Sequence, residues 1–211
     1  MKIIQMLVGQ MAVYAYLIGC EKTGKAVVID PAGNEEQITA KAKDEGLTIV
    51  KILNTHGHAD HTCGNALMKK LTNAPILVHE ADAPNLQSAH NAEFTRMLGA
   101  EVTPEADETF KHNDFIEVGE EVKLKVIHTP GHTPGCVCFF TPGHVFTGDT
   151  LFVGAVGRTD LPGGSFDQMF KSIQENILTL PDETVVWPGH NYGPYPKSTV
   201  AAERQTNPFL R

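Results

Sequence analysis

The sequence predicts an α/β fold in which two β-sheets are layered together with helices outside. Three observations predict it. Strand-type runs come in groups, helical patterns are interspersed among them, and no internal repeat or Pro/Gly/Ser-rich linker divides the chain. The 211 residues are enough for one large domain, taken here as residues 1–211, and few for two.

The elements follow in order. Ile3–Val8, Tyr14–Ile18 and Ala26–Ile29 are β-rich runs separated by Gly9-Gln10 and by Glu21–Gly24, and Asp30-Pro31 ends the third. Glu35–Glu45 carries Ile38 and Ala42 at i, i+4, which predicts a modest helix that Gly46 stops. Thr48–Leu53 is a strand running into Asn54-Thr-His-Gly-His58, followed by a helical Ala66–Leu71, a short strand Ile76–Val78 and a helical Asn91–Leu98. Val122–Ile127, Val137–Phe140 and Val145–Thr147 are strands between Gly/Pro turns. Asp167–Leu178 has the strongest helical pattern, with Met169, Phe170, Ile173 and Ile177 as an apolar stripe. Thr184–Trp187 is a last strand, and the tail holds a short helix over Thr199–Gln205.

Hydrophobic content of 41% and charged content of 20% are those of a folded globular chain. No apolar run approaches the ~20 residues a membrane span needs, and the N-terminus lacks the pattern of a secretory signal, so the expected location is the cytoplasm. Cys20, Cys63, Cys136 and Cys138 form no disulfide framework and no CxxC pair. A formal charge of -8 argues against a nucleic-acid partner, although bound cations would offset part of it locally. Nothing in the sequence calls for a membrane partner or requires an oligomer.

Histidines and aspartates gather after predicted strands, where a rigid scaffold presents functional groups. Thr48–Leu53 leads to His56-Gly-His-Ala-Asp60-His61, Val122–Ile127 to His128-Thr-Pro-Gly-His132, Val145–Thr147 to Gly148-Asp149, and Thr184–Trp187 to Pro188-Gly-His190. Imidazole and carboxylate donors suit zinc, iron and manganese, and the absence of cysteine from these sets argues against a closed structural zinc site. Histidines at i and i+2 can aim both rings at one ion while Asp60 and His61 reach a second, with Asp149 the natural bridging carboxylate. A polar turn would account for residues 56–61 alone, but not for three further sites with His or Asp after a strand. His79, His90, His112 and His144 are read as surface or satisfied core residues, and His128 as a support for its loop.

The HxHxDH motif at 56–61, the TPGHTPG run around His132, the GD pair at 148–149 and the PGH at 188–190 resemble the metallo-β-lactamase superfamily, in the same order along the chain. Gly157-Arg-Thr-Asp160 and Glu203–Leu210 resemble its glyoxalase II (hydroxyacylglutathione hydrolase) branch and the short bacterial relatives of that branch. The resemblance implies an αββα sandwich with metal ions at one edge of the paired sheets. It implies His56, His58 and His132 on one ion and Asp60, His61 and His190 on another, with Asp149 between. Zinc is the default metal, and iron and manganese are compatible. Arg158 and Tyr192 fall where glyoxalase II enzymes contact glutathione; an ion pair of Arg158 with Asp160 and simple packing of Tyr192 are the plainer alternatives. Cys63 departs from the small residue usual after the motif and is read as packing. The chain ends 21 residues after His190, without the helical C-terminal domain that supplies further glutathione contacts in glyoxalase II.

The implied activity is hydrolysis of a small-molecule thioester, such as the glutathione-linked S-lactoylglutathione, by a metal-bound hydroxide that Asp60 helps to orient. A thiolate of pKa ~8.5 departs without full protonation, whereas an amine needs a general acid that the motif loops do not supply. The competing reading is a persulfide dioxygenase with a single iron, which shares the GRTD run and the tail pattern. A β-lactamase is disfavoured by Asp149 where a cysteine is expected, and an RNA-processing nuclease by the acidic charge.

Overall fold

The computed structural model describes residues 1–211. The first half of the chain runs β1 (Lys2–Val8), β2 (Val13–Cys20), β3 (Lys25–Ile29), α1 (Glu35–Asp44), β4 (Thr48–Leu53), α2 (Ala59–Thr62), α3 (Asn65–Thr72), β5 (Ile76–His79), a 3-10 turn at Ala83–Gln87, α4 (Ala89–Met97) and β6 (Glu108–Phe110). The strands form one six-stranded sheet in the order β1-β2-β3-β4-β5-β6, antiparallel across β1–β3 and parallel from β3 onward. The parallel steps are the ones that α1, α3 and α4 cross, as parallel strands require.

The second half adds β7 (Phe115–Val118), β8 (Val122–His128), β9 (Val137–Thr141), β10 (His144–Gly148), the hairpin β11 (Leu151–Phe152) and β12 (Ala155–Val156), α5 (Phe166–Ser172), β13 (Val185–Pro188), β14 (Ser198–Thr199) and α6 (Val200–Thr206). Its main sheet has the order β14-β13-β10-β9-β8-β7 and is antiparallel except between β10 and β13.

Side-chain alternation sorts the core into three layers. Tyr16, Ile18, Val27 and Ile29 of the first sheet face Leu124, Val126, Phe139 and Phe146 of the second. The opposite faces of the same strands, with Ala15, Leu17, Ala26 and Val28, pack on Ile38 and Ala42 of α1 and Met68 of α3. Outside the second sheet, Cys138, Val145 and Val186 pack on Met169, Ile173 and Ile177 and on Val200 of α6. Helix, sheet, sheet, helix is the layering, the αββα sandwich that was expected.

Some elements differ from the sequence reading. The 56–61 motif is not all turn, because Asp60 and His61 lie in α2. The helix expected over Asp167–Leu178 widens into a π-helical stretch at Ile173–Ile177, where Leu178 N–H bonds to the Ile173 carbonyl at 2.9 Å. Phe170 leaves the apolar stripe: it is 36% exposed and stacks on Phe166, while Met169, Ile173 and Ile177 are buried. The strands β6, β7, β11, β12 and β14, of two to four residues, were not read from the sequence. No helix is long and apolar enough to cross a membrane.

Candidate metal centre

The C-terminal ends of β4, β8, β10 and β13 meet at one edge of the sandwich. Backbone bonds join the two sheets there: Val137 N–H to the Thr55 carbonyl at 2.8 Å and Tyr14 N–H to the Gly189 carbonyl at 2.8 Å. The buried Tyr16 hydroxyl donates to the Pro188 carbonyl at 2.5 Å. Gly148 adopts the left-handed region at φ 48°, which turns the chain so that Asp149 enters the centre. Gly189 must be glycine for a different reason, since a Cβ there would lie 2.5 Å from Asp149 Oδ1.

All seven residues expected as ligands come together. Three overlapping sets have ligand atoms within 4.8 Å of one another: His56, His58 and His132; His56, His61 and Asp149; and Asp60, His61 and His190. His58 Nδ1 lies 2.9 Å from His132 Nε2, and His61 Nε2 lies 3.0 Å from His190 Nε2. Asp149 stands between the outer sets, with Oδ1 3.2 Å from His61 Nε2 and Oδ2 3.4 Å from His190 Nε2 and 3.6 Å from His132 Nε2. Asp60 Oδ2 completes one side at 3.5 Å from His190 Nε2.

Behind this cluster, groups that only accept hydrogen bonds fix the rings. His132 Nδ1–H donates to the Arg158 carbonyl at 2.7 Å and His190 Nδ1–H to the Met11 carbonyl at 2.9 Å, which leaves each Nε2 lone pair aimed inward. Asp30, buried at the end of β3, holds two of these histidines at once. Its Oδ2 accepts from His61 Nδ1–H at 3.0 Å and from the Thr55 hydroxyl at 2.6 Å, and that hydroxyl in turn accepts from His56 Nδ1–H at 3.1 Å. The Thr55 N–H caps the other Asp30 oxygen at 2.8 Å. Asp82 does similar work for the backbone, accepting from Gly57 N–H, Thr133 Oγ1 and Gly135 N–H at 2.7 Å each. Sequence reading missed both aspartates. Asp30 stood at a strand end before a proline, and nothing local marked Asp82.

Burial and charge divide the centre electrically. Burial and the neighbouring imidazoles hold His56 well below the ordinary histidine range and bring His58 down to about 4. Burial would lower His61 and His190 too, but the Asp149 and Asp60 carboxylates outweigh it, raising His61 well above normal and His190 to about 9. Asp149 goes the other way: despite burial, His61 and His190 hold it well below the usual carboxylate range.

A metal fits these residues on the structure's own terms. His56 Nε2 and Asp149 Oδ1 are buried without a hydrogen-bond partner, in a protein whose buried polar atoms are nearly all paired. Both point at the place where the other imidazole and carboxylate donors converge. A nitrogen–oxygen donor set of this kind suits a divalent first-row metal.

The centre forms the floor of a cavity of about 690 Å³. Arg158 and Tyr192, the expected substrate contacts, both line it. Arg158 is nevertheless paired through Nε and Nη2 with both oxygens of Asp160, at 2.7 Å each. The Tyr192 ring stacks on His190, with centroids 4.3 Å apart and planes 8° from parallel, and meets Phe152 edge-on. His90, read as a surface residue, is exposed but faces this cavity. His79 and His128 stack on each other at 4.1 Å, His112 accepts from His128 N–H, and His144 accepts from the Trp187 indole, all away from the centre. Cys63 is buried beside Asp60, and burial pushes its thiol up to about 12, which fits packing and not reactivity.

Residues 8–190 match the sequence model of the Metallo-beta-lactamase superfamily. The chain is 36% identical to the mitochondrial persulfide dioxygenase ETHE1 of Bos taurus over 209 residues, covering 98% of this chain and 74% of that protein. It is also 36% identical to a hydroxyacylglutathione hydrolase of Polaromonas sp. (strain JS666) over 182 residues, 85% of this chain and 62% of that protein. Among solved structures, it is similar to TTHA1623 in a di-iron-bound form, with a TM-score of 0.85, 34% identity and coverage of 98% of this chain and 100% of the other.

Proposed function

The chain belongs to the metallo-beta-lactamase superfamily, and from that premise we propose that it is a metal-dependent hydrolase that cleaves a small-molecule thioester. The observation that supports this reading best is the double cluster. Asp60, His61 and His190 converge as closely as His56, His58 and His132 do, and Asp149 faces both. An oxygenase with a single iron would leave one of these sets without an ion.

In this reading His56, His58 and His132 would hold one divalent ion and Asp60, His61 and His190 the other, with Asp149 available to both. Zinc, iron and manganese all match the donor set. Such ions, when bound, lower the pKa of water toward ~7 and polarise a carbonyl. The protein's own groups then do the positioning. Asp30, Met11 and Arg158 keep the imidazole lone pairs inward. Asp60, at the cavity floor, accepts a hydrogen bond from the attacking water and orients it toward the carbonyl carbon. The C–S bond breaks, the sulfur leaves as thiolate, and the products are a carboxylate, a thiol and a proton. A thiolate requires no general acid, in keeping with a centre whose ligands leave none in the motif loops.

The similarity to persulfide dioxygenases supports the second reading, oxidation of a persulfide at one iron. Metal content and activity, measured together on protein purified without chelator, separate the two. About two ions per chain and thioester turnover that Asp149→Ala abolishes support the hydrolase. One iron per chain with oxygen uptake on a persulfide, and no thioester turnover, replaces it with the dioxygenase.

A further inference from the structure

The cavity above the metal centre has few free charges to offer a ligand. Its only permanent cation is the Arg158 guanidinium, which Asp160 already engages through two hydrogen bonds of 2.7 Å, and no lysine lines it. Its amides are also committed. The side chains of Asn91 and Asn85 donate to the Gly57 carbonyl at 2.7 and 3.3 Å, holding the backbone between His56 and His58. The Ser88 hydroxyl caps α4 by accepting from Asn91 N–H. Apart from the exposed His90, the remaining walls are apolar, among them Met11, Phe94, Phe152, Val156, Leu161 and the Tyr192 ring.

A glutathione conjugate carries two carboxylates and an ammonium. In this cavity its carboxylates would meet one guanidinium, whose Nε and Nη2 are already engaged by Asp160. An uncharged alkyl chain, by contrast, would cover wall surface that is already apolar and would displace no ion pair. Resting on the thioester reading, the geometry points to a specificity for thioesters of uncharged, medium-length aliphatic acyl chains, with the chain lying against Phe94 and Phe152, over glutathione-linked ones. Phe94 comes from α4 and Phe152 from β11, so the chain would be gripped between the two halves of the fold.

The test is a matched series on the metal-loaded protein. Acyl N-acetylcysteamine thioesters from acetyl to octanoyl are compared by release of free thiol, and the same acyl group is compared on N-acetylcysteamine and on glutathione. Alongside, calorimetry measures binding of the uncleavable S-alkyl thioethers of both thiols. We expect kcat/KM and thioether affinity to rise by about fourfold per methylene through hexyl. Phe94→Ala should flatten that slope, and Arg158→Ala should leave it intact. A flat series overturns the inference. So does turnover of a glutathione thioester at least tenfold above its acyl-matched partner, with the advantage lost in Arg158→Ala. If no thioester is cleaved at all, the hydrolase reading fails by itself. The thioether affinities then still decide the pocket's preference: rising with chain length upholds it, and tighter binding of S-hexylglutathione than of its N-acetylcysteamine counterpart refutes it.

Discussion

The two halves of the metal centre are built from the same residue type and behave oppositely. On one side His56 and His58 sit among other imidazoles, and burial keeps them neutral, His58 down to about 4. On the other, His61 and His190 face Asp60 and Asp149, and these carboxylates keep them protonated, His190 up to about 9. A metal competes with protons for the same lone pairs. The first set therefore stands ready to bind, while the second holds protons that an incoming ion must displace. Histidine identity supplies a nitrogen donor; its carboxylate neighbours fix when that donor becomes available.

The largest effect should come from removing the residue common to both halves. Asp149→Ala takes away the carboxylate that faces His61, His132 and His190. Metal content should fall below two ions per chain, and hydrolysis should drop to background. A variant that keeps two ions and its activity would show that the halves are independent.

The comparison sharpens with pH. His56 and His58 should add little pH dependence to loading of their set between pH 6 and 9, because both are already neutral there. Loading of the second set should weaken as pH falls below about 9, the His190 value, by about tenfold per pH unit for each proton displaced. Calorimetry in buffers of different ionisation enthalpy counts those protons directly. Equal pH dependence of both binding events would break the distinction.

Asp30→Ala should act on both halves through their supports, not their ligands. It removes the acceptor of His61 and the anchor of the Thr55 hydroxyl that holds His56. The expected loss is about 10- to 100-fold in metal affinity, the usual cost of removing a ligand's orienting partner. Competition against a chromogenic chelator would measure it, and an affinity within twofold of the parent would show that packing alone orients the rings.

The clustered histidines and aspartates were legible in the sequence and their supports were not, for a physical reason. His56, His58, Asp60 and His61 announce themselves by spacing, and His132, Asp149 and His190 by following β-rich runs. Asp30 and Asp82 act across 25 or more residues of chain, on Thr55, Gly57 and Thr133, so only the tertiary fold reveals their targets. The fold shows the same division. The long strands β2, β4 and β8 carry enough apolar and β-branched residues to be read as runs, whereas β11, β12 and β14, of two residues each, are defined by their partners alone. His90 belongs to this second kind: a histidine in the first turn of α4 gives no local sign that the helix borders the cavity.

The smallest of these effects concerns the protein without metal. There the second half is held together by its own protons, since protonated His61 and His190 offset Asp60 and Asp149. His190 binds its proton more tightly when folded, at about 9 against an ordinary value of 6.5. Its stabilisation is therefore complete below about pH 6.5 and disappears as pH rises through about 9. A shift of that size corresponds to roughly 3 kcal/mol, or about 6–12 °C in Tm for a domain of this length. The carboxylates cannot cause the same loss, because Asp60 and Asp149 lie below their normal values and lose their contribution only in acid. Thermal melts of chelator-stripped protein should thus fall from pH 6.5 to 9.5. In the metal-loaded protein the ions replace those protons, and the fall should vanish. A metal-free Tm that stays level across that range would mean the carboxylates on the second side are offset by something other than the imidazole protons, and the contrast between the two halves would lose its electrostatic basis.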